Sequence, residues 1–322
     1  MSTNIPIDNI PSLDLADFTG GDGKKKDEFV KNLGKAFSEI GFVAIKNHGL
    51  SQQLQENLYA CVQAFFNLPE NMKKRYEIAE LKGQRGYIGK MKEHAKGRTT
   101  PDLKEFYHIG QVVDLNDLET RLYPQNVFPK EIPGIERYGL KVYEALQNAG
   151  IEMLRAIALY LELDEFYFDE KVEKGNSILR PIHYFAIEDP SSVPEDAVRA
   201  AEHTDINLIT LLMGASADGL QVLRNDGAWV PITALTEQIV VNVGDMLSRL
   251  TNNKLKSTVH RVVNPPRELL NQPRYSIPFF MHPVSSMSLS CLENCIDDEH
   301  PKLFKDITAG AYLDERLKEI GF

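Results

Sequence analysis

After Gly175 the chain changes texture, and that change constrains its fold more than any other feature. Seven short β-rich runs follow, over Ser177 to Ala186, Asn207 to Met213, Leu220 to Leu223, Trp229 to Ile232, Gln238 to Val243, Thr258 to Val263 and Tyr275 to Met281. Asp218-Gly219, Asn225-Asp226-Gly227 and Gly244-Asp245 mark turns between them. Short strands at this spacing fit a jelly roll. Ahead of them the periodicity is helical. Phe29, Leu33, Ala36, Phe37 and Ile40 recur at helical spacing, as do Leu54, Leu58, Cys61 and Phe65 behind a Ser51 cap. A longer pattern from Gly139 to Leu163 predicts a supporting helix, broken near Gly150. The expected fold class is mainly β with flanking helices outside a jelly-roll core. A chain of 322 residues with 43% hydrophobic content can bury a large core, and one catalytic unit is expected.

Polar residues in and beside these runs carry the chemistry. His203-Thr204-Asp205 and, further on, His260 offer two imidazoles and one carboxylate, the donor set that non-haem Fe(II) oxygenases use while leaving positions open. If the first segment is a strand, His203 and Asp205 project from one face, and the β-branched run around His260 reads as a second strand facing the first. Arg274-Tyr275-Ser276 places a guanidinium beside a hydroxyl, a pair suited to the distal carboxylate of a small diacid. With 8 His and 46 acidic residues, chance alone predicts about one His-x-acid match, so the composite carries the weight. Arg274-Tyr275-Ser276 is the single Arg-x-Ser in the chain.

Further motifs appear in order along the chain: Ile10-Pro11-Ser12-Leu13-Asp14-Leu15, Gly41-Phe42-Val43-Ala44-Ile45-Lys46-Asn47-His48-Gly49-Leu50, Asp102-Leu103-Lys104-Glu105-Phe106, Gly219-Leu220-Gln221-Val222, Asn242-Val243-Gly244-Asp245 and Ile307-Thr308-Ala309-Gly310-Ala311-Tyr312-Leu313. With His203-Thr204-Asp205 and His260-Arg261-Val262, the chain resembles the 2-oxoglutarate and Fe(II)-dependent dioxygenases related to isopenicillin N synthase, over nearly its whole length. The resemblance implies a double-stranded β-helix with iron in its mouth. It implies His203, Asp205 and His260 as ligands, and Arg274 and Ser276 on the far carboxylate of 2-oxoglutarate. Tyr184 would also reach the cosubstrate, although the Asn that accompanies such a Tyr in many relatives is Ile182 here. It further implies a helix-rich amino-terminal region over 5–115, a catalytic core over 175–285 and a helical extension over 286–322. Fe(II), 2-oxoglutarate and O2 would be needed, with ascorbate as a reductant. The expected reaction hydroxylates, desaturates or cyclises a small metabolite and releases succinate and CO2. The alternatives are an isopenicillin N synthase-like oxidase that takes no 2-oxoglutarate, a zinc hydrolase, and a sensor that has kept the barrel without turnover.

Composition narrows the partners. A net charge of -10 and a pI near 5.4 argue against nucleic acid and anionic membranes, and favour a small-molecule substrate. Met1-Ser2-Thr3-Asn4-Ile5-Pro6 lacks the features of a secretory signal and no stretch approaches a membrane span, so a cytoplasmic setting is expected. Cys61, Cys291 and Cys295 are too few for a disulfide framework. Four residues are candidates for the substrate pocket: Arg180, which shares a strand face with Tyr184 and needs an anion, either an acidic group on the substrate or the partner in a structural ion pair, and Tyr87, Arg98 and Phe280. The Gly- and Lys-rich segment from Gly83 to Thr100 is expected to cover the site. His48, His94, His108, His282 and His300 are expected in structural or surface roles, and His183 should face away from the site.

Overall fold

The computed structural model describes residues 10–319 apart from 96, 119, 190, 192, 193, 195, 215–218 and 233–236. Met1 to Pro6 and Asp218 of the expected Asp218-Gly219 turn lie outside the described residues. Thirteen strands are described: β1 (Ser12–Asp14), β2 (Phe42–Lys46), β3 (Gly86–Ile88), β4 (Glu105–Gly110), β5 (Ile178–Leu179), β6 (Ile182–Tyr184), β7 (Ala200–His203), β8 (Ile209–Met213), β9 (Leu220–Leu223), β10 (Trp229–Pro231), β11 (Ile239–Val243), β12 (His260–Val262) and β13 (Arg274–Met281). The helices are α1 (Leu15–Thr19), α2 (Gly23–Glu39), α3 (Gln52–Phe66), α4 (Glu70–Lys73), α5 (Gly134–Tyr160), α6 (Asp169–Val172), α7 (Asp245–Leu250) and α8 (Ala309–Glu319).

Local chemistry sets the helix ends. The Asp22 carboxylate accepts from Lys25 N at 3.0 Å to start α2, and Ser51 Oγ accepts from Leu54 N at 3.3 Å to start α3. The chain leaves α2 through Gly41, whose φ of +77° and close approach to Lys256 O exclude a side chain. The expected break at Gly150 does not occur, and α5 runs unbroken through it. The reason is packing: a Cβ there would lie 2.5 Å from Met281 Sδ, so glycine lets the helix seat against β13.

The strands form two sheets. The larger has the order β1-β2-β11-β8-β13-β5-β4-β3, with β6 bridging β13 and β4; the smaller is β10-β9-β12-β7. The two-residue alternation of each strand divides the core in two. Val43, Ile45, Leu211, Val241, Ile277 and Phe279 face the helices and pack with Leu33 and Phe37 of α2, Phe65 of α3, and Leu146 and Met153 of α5. Phe42, Ala44, Ile182, Tyr184 and Val240 face the other way and meet Ala200, Leu220, Val222 and Val262 of the small sheet. The interior between the sheets is thus lined by alternate residues of both, as a double-stranded β-helix requires.

Two sequence expectations change in detail. The β7 strand ends at His203, so Asp205 lies beyond it rather than two residues along one strand. The strand bearing His260 does not face β7 but is hydrogen-bonded beside it, with His260 and His203 as register partners and a bulge between His260 and Val262. Buried strands β3 and β4, absent from the expected set, complete the large sheet.

Candidate active site

His203, Asp205 and His260 converge, with one donor atom from each lying within 4.8 Å of the others, and they are the one such His/Cys/acid group among the described residues. Asp205 Oδ1 is 4.0 Å from His203 Nε2 and 3.7 Å from His260 Nε2, and the imidazole centroids are 4.4 Å apart. Each donor is turned inward by a hydrogen bond on its far side. His203 Nδ1 donates to Ala201 O at 2.7 Å and His260 Nδ1 to Thr258 O at 3.1 Å, which leaves both Nε2 lone pairs toward the gap. Asp205 Oδ2 accepts from Thr210 Oγ1 at 2.6 Å and Asn242 Nδ2 at 2.8 Å, which leaves Oδ1. Burial, then the neighbouring His260, pushes the His203 pKa down to about 4, so the ring is neutral at physiological pH. Burial alone would raise the Asp205 carboxyl, but the two imidazoles and the two hydrogen bonds hold it below its ordinary value. Two imidazoles with Nε2 turned inward and one carboxylate, with no fourth His, Cys or acidic ligand beside them among the described residues, fit a ferrous ion with coordination positions to spare.

A cavity of roughly 570 Å³ opens from this group, within the range of small-ligand sites. One wall is the inward face of β13 and its continuation: Arg274, Ser276, Pro278, Phe280 and His282 in alternate positions. Arg274 pairs in register with Tyr184, and Ser276 with Ile182, so the residues expected to hold 2-oxoglutarate are neighbours. The Arg274 side chain is 1% exposed, with its guanidinium 5.0 Å from the Tyr184 ring centroid. A fixed, buried guanidinium beside a hydroxyl suits one end of a dicarboxylate.

The other expected pocket residues divide. Arg180 and Phe280 line the cavity, the Arg180 guanidinium lying 5.0 Å from the Phe280 ring and 4.5 Å from Phe106. Tyr87 does not line it. Its ring packs on Phe65 in the core and its hydroxyl donates to Glu105, because β3 turns that face away from the cavity. Arg98 is also outside the lining, engaged with Asp196 O at 2.7 Å and Asp196 Oδ2 at 3.1 Å. Within the Gly83 to Thr100 segment, Gly83, Gln84, Glu93, His94 and Ala95 do border the cavity. His183 faces away, stacked on Tyr275 with Nδ1 at 2.7 Å from Glu105 Oε1.

Several lining residues carried no functional expectation. Lys104 binds Glu93 Oε1 at 2.6 Å and Asp102 Oδ2 at 2.8 Å in the cavity wall, and His108 and His282 border the cavity instead of serving only as scaffold. The alternation of β13 extends to His282, a signal that continuing the Arg274, Ser276, Phe280 series by one step would have caught. At the mouth, α8 contributes Gly310, Leu313 and Arg316. Its anchor is Asp245, which receives Arg316 Nη2 at 3.6 Å and the Tyr312 hydroxyl at 3.4 Å. The same carboxylate accepts from Thr204 Oγ1 at 3.1 Å, and Asp245 N donates to Asp205 O at 2.7 Å, so α8 is tied to the metal-binding turn itself.

The fold and this donor set define a non-haem Fe(II) oxygenase. Residues 10–131 match the family model described as the non-haem dioxygenase in morphine synthesis N-terminal, and residues 176–283 match the 2OG-Fe(II) oxygenase superfamily. The 2-oxoglutarate-Fe(II) type oxidoreductase ppzD of Metarhizium majus is 31% identical, covering 97% of this chain and 95% of its own length. Among solved structures, a 2OG-Fe(II) oxygenase family protein from Caulobacter crescentus is 40% identical, with a TM-score of 0.85, covering 96% of this chain and 98% of that one. A full-length Neurospora crassa protein in complex with alpha-KG and thymine is 32% identical with a TM-score of 0.84, covering 96% of both chains. The chain belongs to the 2-oxoglutarate and Fe(II)-dependent dioxygenases of the isopenicillin N synthase-like superfamily. It is an oxidoreductase that uses Fe(II) and 2-oxoglutarate. No described helix is long and apolar enough to cross a membrane.

Proposed function

We propose that His203, Asp205 and His260 hold the iron, that Arg274, Ser276 and Tyr184 hold 2-oxoglutarate, and that the primary substrate is a small molecule seated against Arg180 and Phe280. The observation that carries this is the orientation of the donors: every competing hydrogen bond of the triad is on its outer side, and the free Nε2, Nε2 and Oδ1 atoms point into one gap. Iron held by His203, Asp205 and His260, with 2-oxoglutarate on Arg274, Ser276 and Tyr184, would supply O2 activation and the oxidation of a substrate C–H bond, with release of succinate and CO2. The side chains supply position. Arg274 and Ser276 fix one end of the cosubstrate on β13, and Phe280, further along the same face, limits where a substrate can lie. Apolar side chains between the sheets, Phe42, Ile182, Leu220 and Val262 among them, line the cavity and limit the water around the reacting groups.

That the substrate is small accords with the cavity volume and with the thymine bound in the Neurospora protein. Residues 175–285 form the catalytic core in this reading, with the segments before and after it as walls, within a cytoplasmic enzyme. The test is succinate release coupled to O2 consumption with Fe(II), 2-oxoglutarate and candidate metabolites, beside iron content of the purified protein. His203→Ala, Asp205→Ala and His260→Ala should each lose bound iron and turnover together. Full iron occupancy in any one of them, or O2 consumption with no succinate, defeats the assignment; the second result is that of an oxidase independent of 2-oxoglutarate.

A further inference from the structure

Behind the cavity wall, Arg85 is a buried cation that pairs with no carboxylate among the described residues; its donors go to an amide instead. Its side chain is 1% exposed and packs on β4 at Gly110, where a Cβ would stand 2.0 Å from Arg85 Cζ. Nη1 donates to Gln84 O at 2.8 Å and Nη2 donates to Asn176 Oδ1 at 3.1 Å. A guanidinium has donors only, so the atom of the Asn176 amide that meets it must be the oxygen. The amide is thereby fixed in one of its two orientations, as a donor on its other side. Asn176 is 7% exposed and lines the cavity. Its Nδ2 has no hydrogen-bond partner among the described residues and, unlike the Nδ1 atom of His282, is not sealed off from the open space.

A second donor stands along the same face. Asn176 N donates to Pro283 O at 3.4 Å and Arg180 N to Pro278 O at 2.9 Å, so the segment from Asn176 to Arg180 runs antiparallel to β13, with Ile178 opposite Phe280. Asn176, Ile178 and Arg180 are alternate residues, and all three line the cavity. The Arg180 guanidinium is held firmly. Nε donates to His108 Nε2 at 2.5 Å, Nη1 lies 3.4 Å from Glu93 Oε2, and Cζ lies 4.5 Å from the Phe106 ring centroid and 5.0 Å from that of Phe280. Its charge is met by Glu93, but Nη2 has no partner among the described residues and is likewise not sealed. Glu93 cannot serve both donors, since Lys104 also binds it at 2.6 Å.

Two fixed N–H donors thus flank an apolar step made by Ile178 and Phe280, in the part of the cavity beyond Arg274 and Ser276. We infer that the primary substrate carries carbonyl-type oxygen, as a neutral carbonyl or a carboxylate, on an apolar frame seated against Ile178 and Phe280; Asn176 Nδ2 and Arg180 Nη2 donate to it, and Arg85 is the positioning residue that keeps the Asn176 amide turned as a donor. This deepens the dioxygenase assignment and rests on it. An amide free to turn can accept as well as donate. Locked by Arg85, it selects for groups that accept and against groups that only donate, because the mismatched pair leaves polar atoms unmet in a largely buried wall.

The test uses the full chain loaded with Zn(II), which is redox-inert, and 2-oxoglutarate. Binding of 2-oxoglutarate is read first, since its absence would count against the dioxygenase assignment and not against this one. Cyclohexanone, cyclohexanecarboxylate and cyclohexylamine, which share a ring and differ in what they offer, are then titrated by saturation-transfer NMR. At least one of the two oxygen acceptors should bind about tenfold or more tightly than the amine, which only donates at neutral pH, and whichever leads shows whether the oxygen is neutral or charged. In Asn176→Asp, Arg85 keeps its acceptor while an oxygen replaces Nδ2. The leading acceptor should weaken by about tenfold and the amine should strengthen, so that the preference inverts. Arg85→Met, which frees the amide to turn, should narrow the preference to about threefold. Unchanged 2-oxoglutarate binding and the thermal midpoint show that each variant is folded. Failure of both acceptors to bind, equal binding of the amine in the native protein, or an unchanged preference in either folded variant overturns the inference; the last is the result if the two donors meet only water.

Discussion

Asp205 can present one oxygen to an ion because Thr210 and Asn242 occupy the other, at 2.6 and 2.8 Å. Residues that orient a ligand without touching the metal commonly change affinity by about 10–100-fold when removed. Thr210→Val and Asn242→Leu should therefore each weaken Fe(II) binding by about that factor while the fold persists, measured by competition with a chromogenic chelator. Arg274→Lys keeps the charge but loses the planar fork, and should raise the KM for 2-oxoglutarate by about tenfold or more with iron content unchanged. The ligands themselves are legible in the sequence because His203, Asp205 and His260 precede the single Arg-x-Ser of the chain in one ordered composite, where a His-x-acid pair alone is expected about once by chance. Thr210 is not, since a threonine in a β-rich run is ordinary; only its position across from the Asp205 turn gives it a role. Tyr87 falls outside the pocket for a related reason, as an aromatic residue near an expected lid reads the same whether it faces the cavity or Phe65.

At the scale of elements, α8 shows how far a wall can lie from the core it serves. Arg316 and Tyr312 bind Asp245, whose backbone N–H and carboxylate hold Asp205 O and Thr204 Oγ1. Ending the chain after residue 308 should open the cavity mouth and raise the proportion of 2-oxoglutarate consumed without substrate oxidation, measured as the ratio of succinate to oxidised product. Asp245→Asn should do the same more mildly, and a ratio that stays constant in both would show that α8 does not shield the site. The helices α2 and α3 are readable because each has a side-chain cap and an amphipathic stripe. By contrast, every residue of β4 is buried, so it shows no alternation, and Glu105 and His108 disguise it further by meeting partners inside. Gly150 has the composition of a helix breaker, yet its missing side chain is what brings α5 onto Met281.

Over the whole molecule, a chain of net charge -10 encloses an interior rich in cations. Glu93 is central to holding them. Burial opposes its ionisation, but Lys104 and Arg180 outweigh it and keep the carboxyl below its ordinary 4.5. A depressed pKa contributes stability that is complete above the unfolded value and is lost as pH falls from there toward the folded one. Glu93→Gln should thus cost about 3 kcal/mol near neutrality. That gap should narrow as pH drops below 4.5, read from urea midpoints of both proteins across pH. None of this balance is legible in the sequence, because Glu93, Lys104 and Arg180 meet only once β4, β5 and the segment before them have closed around the cavity. The pairing of β7 with β12 has an equally global result. β7 is the outer strand of the small sheet, with β12 as its one described strand partner, and its last residue, His203, lies opposite His260. An ion gripping both rings is a clasp on that border, so chelation should loosen β7 amide protection before the remaining sheet unravels.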